Sequence, residues 1–130
     1  MLAEPLPTFP PATTALEVLT RTRSLLSHPD AWTQFHWAAW PDALRPGGIA
    51  VSSNGNAPLA CCLCLEGALE RASGGSQLSP VVVESRPLLE ANDILCVLLE
   101  RRSVRVWNDF HGRTHADILA LLDAAIARLS

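Results

Sequence analysis

Cys61, Cys62 and Cys64 stand within four residues, and the Cys61-x-x-Cys64 spacing brings two thiols close enough to share a zinc ion or to form a redox pair. A structural zinc site takes four ligands, and the chain offers no second CxxC, only Cys96 and four scattered histidines. In so apolar a segment the cysteines read as small core hydrophobes, so neither a metal nor another cofactor is expected. A second cluster, Trp107-Asn108-Asp109-Phe110-His111-Gly112-Arg113-Thr114, sets an aromatic, an acid, a histidine and an arginine just ahead of a helix N-terminus, where free N–H groups favour anions. The same residues suit a turn and a cap, with Trp107 in the core, Asn108-Asp109 and Gly112 turning the chain and Thr114 capping.

Asp109 with His111 or His115 is a conceivable acid/base or metal pair, and Asp109, His111 and Cys64 together define a metal- or hydrolase-type alternative. His36, His111 and His115 stand beside no serine or cysteine in a nucleophile motif. Phosphate-loop, dinucleotide and HExxH signatures are missing too. Enzyme activity is therefore the weaker reading.

Binding has more to recommend it. Trp and Arg are the residue types enriched at interaction hot spots, and Trp32, Trp37 and Trp40 alternate with polar positions. The candidate binding residues are Trp107, Asn108, Asp109, His111 and Arg113 in the loop, with Trp37 and Trp40. All ten basic residues are arginines, a bias that fits a GC-rich genome and makes any anion contact a forked one. Arg101, Arg102 and Arg105 form a possible basic edge, the basis of a nucleic-acid alternative, although a net charge of -3 argues against a dedicated nucleic-acid binder.

The 130 residues, 48% hydrophobic and 18% charged, suit one folded domain with a single core. Residues 1–11, with Pro5, Pro7, Pro10 and Pro11, read as an extended tail or strap, and 12–130 as the domain. The start shows no basic and apolar signal pattern, and the longest apolar run, Ala57 to Leu65, falls short of the roughly 18 residues of a membrane span. A cytoplasmic protein away from membranes is expected.

Thr14 with Glu17 predicts a capped helix from Ala15 to Ser27, stopped at His28-Pro29. The aromatic stretch Trp32 to Trp40, the turn Arg45-Pro46-Gly47-Gly48 and Ile49-Ala50-Val51 predict a small hairpin. Pro58 to Ala72 reads as a second helix, central to the core, and Leu88 to Arg101 as a third. Val81-Val82-Val83 fits strand or helix alike, and Ser103 to Trp107 alternates like a short strand. Thr114 and Asp117 predict the start of a fourth helix, His115 to Leu129. The expected fold is α+β and predominantly helical, about four helices around one core with a small β-ribbon from the Trp37, Val51 and Val104 regions. Leu59, Leu63, Ile94 and Val97 lie off the main apolar stripes, which predicts a homodimer.

Cys62-Leu63-Cys64-Leu65-Glu66-Gly67-Ala68-Leu69, Trp107-Asn108-Asp109, Gly112-Arg113-Thr114 and Leu121-Leu122-Asp123-Ala124-Ala125-Ile126 occur in that order, preceded by Trp32-Thr33-Gln34. Over roughly residues 15–129 this series resembles a family of small proteins of unknown function from high-GC bacteria and their phages. The resemblance implies a fold type and a phage or mobile-element setting, and carries no reaction. The function expected is that of a small accessory protein that binds and modulates another macromolecule, a protein partner before nucleic acid.

Overall fold

The computed structural model describes residues 1–44, 47–74 and 85–130. Helix α1, Ala15–Leu25, begins where expected, because the Thr14 hydroxyl accepts the Glu17 N–H at 3.1 Å. Val18, Leu19 and Leu25 lie on its buried face, followed by the fully buried Leu26, and α1 packs against the other three long helices. A 3-10 turn, Pro29–Ala31, then leads into strand β1, Ala38–Pro41, which pairs antiparallel with β2, Ile49–Ser52. The expected hairpin is present, its turn crossing Gly47 at φ 73 while Arg45 and Pro46 fall outside the described residues.

The predicted second helix begins later than its sequence suggests. Cys62–Leu63 is strand β3, antiparallel to β1, and helix α2 covers Leu65–Ser73. An apolar run without polar interruption carries neither a helical nor a strand period, so pairing decides: Cys61 N–H donates to the Ala39 carbonyl at 2.9 Å and Cys64 N–H to that of Trp37 at 3.3 Å. The sheet order is β2-β1-β3, and Trp32 bridges to Leu63 on the far side of β3.

Helix α3, Arg86–Leu98, is capped by the Ser85 hydroxyl, and beyond its C-cap Leu99 the chain turns away through Glu100 and Arg101, both at positive φ. The expected strand at Ser103 to Trp107 is instead a short helix α4, Val104–Asn108. Ser103 caps it, and Val104, Trp107 and Asn108, spaced by three and four, turn inward together. The ribbon therefore takes β3 rather than the Val104 region as its third strand. Helix α5, His115–Leu129, starts with the predicted capping box, Thr114 and Asp117 each accepting the other's backbone N–H.

The result is α+β, with five α-helices among the described residues, one more than expected because α4 is helical. A single core collects residues from all of α1, α2, α3 and α5, including Leu65, Leu69, Leu95, Ile118 and Leu122. Leu63, expected off the core, is fully buried within it, while Leu59 and Val97 remain exposed. Residues 1–11 are a strap: Leu6 is buried, its N–H donates to the Ala60 carbonyl at 2.8 Å, and Phe9 packs on the core. Holding that strap is Arg71 of α2, itself fully buried. Its guanidinium donates to the carbonyls of Leu6, Pro7, Gly55 and Ala57 at 2.5 to 3.0 Å, and burial lowers its pKa. Val81-Val82-Val83 lies outside the described residues, and among those described no helix is long and apolar enough to cross a membrane.

Candidate functional site

The loop predicted as a binding wall is tied to the Trp32-Thr33-Gln34 segment through one buried amide. Asn108, fully buried, accepts on its side-chain oxygen from Trp32 Nε1 at 2.8 Å and from the Leu65 N–H at 3.0 Å. Its amide nitrogen donates to the Thr33 carbonyl at 3.3 Å and to Asp109 Oδ1 at 2.9 Å. Asp109 Oδ1 also accepts the Phe35 N–H at 2.8 Å, while Gln34 Nε2 donates to the carbonyls of Asn108 and Phe110 at 2.9 and 3.0 Å. Two segments about seventy residues apart thus lock onto each other, with α2 beginning at their junction.

Arg113 closes the loop from below. Its Nε donates to the Trp107 carbonyl at 2.9 Å, and its guanidinium lies 4.1 Å from the centre of the Trp107 ring and 5.5 Å from that of Phe110. Trp107 is accordingly buried. Of the predicted binding residues in the loop, Trp107 and Asn108 face inward, Asp109 and Arg113 are half-buried and hydrogen-bonded, and His111 is exposed. Trp37 and Trp40 are half-buried, and Trp40 packs on the core from the sheet.

What the lock presents outward is apolar. Phe35 holds φ 71, a conformation costly for a bulky side chain, and is 67% exposed. Val106 and Phe110 are 65% and 63% exposed on the adjoining α4 segment. Beside Phe35 opens a shallow groove of about 300 Å³, lined by His36, Trp37, Val51, Ser52, Ser53 and Arg105. Phe35, Val106 and Phe110 escape sequence reasoning, since exposure of an apolar residue has no local signature. The joining of the two Trp motifs has no local signature either: their shared series gives only their order along the chain, and the fold brings them together.

Cys64 caps α2, its Sγ accepting the Gly67 N–H at 3.3 Å, and burial pushes its thiol up to about 11. In the free protein the thiol stays protonated at neutral pH, so Cys64 is not a ready thiolate nucleophile. Glu66 is raised mainly by burial and by the nearby Asp109 charge, against the pull of Arg105. His115, four residues beyond the exposed His111, is bonded through Nε2 to the Leu26 carbonyl at 2.6 Å. No group of three or more His, Cys, Asp or Glu comes together as a metal set among the described residues. Arg101, Arg102 and Arg105 are all exposed, with Arg102 Nε donating to the Leu99 carbonyl.

A model for a family described as "Family of unknown function (DUF6197)" matches residues 10–128. No curated protein and no solved structure matches the chain.

Proposed function

The chain belongs to this family of unknown function across nearly all its length, and from that premise we propose that it is a binding module, a small cytoplasmic accessory protein of the phage or mobile-element kind, that modulates a protein partner. The observation carrying this reading is the outward face of the lock, where Phe35, Val106 and Phe110 are each about two-thirds exposed. Their segments are held rigid by Asn108, Asp109 and Gln34, and rigid, exposed aromatics lose little entropy when a partner covers them. The phage or mobile-element setting rests on the sequence resemblance.

A metal- or hydrolase-type reading around Asp109, His111 and Cys64 has less support, because Cys64 Sγ is engaged in capping α2 and Asp109 Oδ1 accepts from both the Phe35 N–H and the Asn108 amide. The Arg101, Arg102 and Arg105 edge keeps nucleic acid as the alternative ligand.

The test is capture from a native host lysate by the wild type and by a Val106→Ser, Phe110→Ser double variant of equal folded fraction, read by quantitative mass spectrometry. Loss of a captured protein in the variant by tenfold or more is the expected result. Equal capture by both, or capture of nucleic acid alone, overturns it.

A further inference from the structure

The polarity of the sheet shows which strand edge is open. The Ala39 and Trp37 carbonyls accept from Cys61 and Cys64, so these residues turn their peptide groups toward β3, and the intervening Ala38 and Trp40 turn theirs toward β2. Ala38 stands opposite Ser52 and Trp40 opposite Ala50, and the same ladder continues from the Asp42 N–H to the Gly48 carbonyl. Ser52 and Ala50 thus bond inward, leaving the peptide groups of Ile49 and Val51 to face away from the sheet. Among the described residues nothing bonds them. The opposite side of β3 is covered by Trp32 and by Thr33, whose N–H donates to the Leu63 carbonyl at 3.0 Å.

We propose that this open edge joins two copies of the chain, β2 pairing antiparallel with β2 of a second copy about a two-fold axis at Val51. In that register Val51 exchanges both peptide hydrogen bonds with its own copy, and Ile49 of each chain lies opposite Ser53 of the other. Paired residues project to the same sheet face, which is the face of Trp37, Val51 and Ile49. Ser53 lines the groove with Phe35, Trp37 and Val51, so Ile49 of the second copy, 60% exposed in the free chain, meets the mouth of that groove. The surface carries both the projection and the recess that a two-fold contact requires.

Charge favours a second copy as the occupant. A two-fold axis sets residues near their own copies, so a charge there would face itself; Ile49-Ala50-Val51-Ser52-Ser53 contains none. Nor does it contain the proline or lysine that commonly protects an open edge. The contact meets the proposed partner face at Phe35, which lines this groove, whereas Val106 and Phe110 do not line it.

Sedimentation velocity of the full chain up to high micromolar concentration tests the proposal, with Val51→Pro and Ile49→Arg as variants. Proline at position 51 removes an outward N–H and leaves the β1–β2 ladder intact. The wild type is expected to reach twice the 14.0 kDa chain mass, and both variants to remain at chain mass with unchanged far-UV circular dichroism. Should Val51→Pro not fold, Ile49→Arg decides alone. A wild type at chain mass throughout, or folded variants that still pair, overturns the contact, and partner capture by Ile49→Arg shows separately whether the binding-module reading stands.

Discussion

Asn108 has the most concentrated role of any single residue. Replaced by alanine, it would leave Trp32 Nε1 and the Leu65 N–H without their acceptor, and each stranded buried donor costs about 1–3 kcal/mol. Asn108→Ala is therefore expected to lower stability by about 2–5 kcal/mol in urea melts. Asn108→Asp keeps the acceptor but loses the donor to Asp109 and sets a second carboxylate against it. Its loss relative to wild type should be larger at neutral pH than in mild acid, where protonation of one carboxylate relieves the pair. This role is faintly legible in the sequence. An Asn beside a Trp and an Asp reads as a turn, and only the fold brings Trp32 to it.

At the scale of elements, caps and stripes identified α1 and α5, because both signals are local and lie within a few residues of the structure they define. The β3 strand and α4 were misread where the local signal was degenerate: an apolar run without period, and three alternating residues too few to separate strand from helix turn. The contact between α2 and the sheet is set by glycine. A Cβ at Gly67 would stand 2.1 Å from the Trp37 carbonyl oxygen, and one at Gly55 equally close to the Gly67 carbonyl oxygen. In an exposed helix Gly→Ala gains about 1 kcal/mol. Here Gly67→Ala should instead cost upwards of about 2 kcal/mol, since backbone must move to admit the methyl. Thermal melts of Gly67→Ala beside Ala124→Gly, an exposed α5 position expected to lose about 1 kcal/mol, check both signs.

For the molecule as a whole, Arg71 couples the N-terminal strap to α2 and to the loop holding Gly55 and Ala57. Four carbonyls from two distant stretches of chain converge on one buried guanidinium. Arg71→Met fills similar volume but supplies no donor, so the Leu6 and Pro7 carbonyls must find water and the strap should lift. The Leu6 amide, bonded to Ala60, is then expected to exchange with deuterium at least tenfold faster, while amides at the centre of α5 change much less. Uniform acceleration across both regions would show that Arg71 serves the global fold and not the strap.

The sequence by itself determined one core, a helix-dominated α+β class, the two capped helices and the hairpin, because these follow from composition and from interactions between near neighbours. Tertiary structure alone decided that Cys62–Leu63 is a strand, that Arg71 is buried among carbonyls, and that Trp32-Thr33-Gln34 and Trp107-Asn108-Asp109 form one lock. It also decided which apolar side chains stay outside. Each of these depends on partners tens of residues away, and for such groups the choice between water and a buried hydrogen bond is made only when the chain closes on itself.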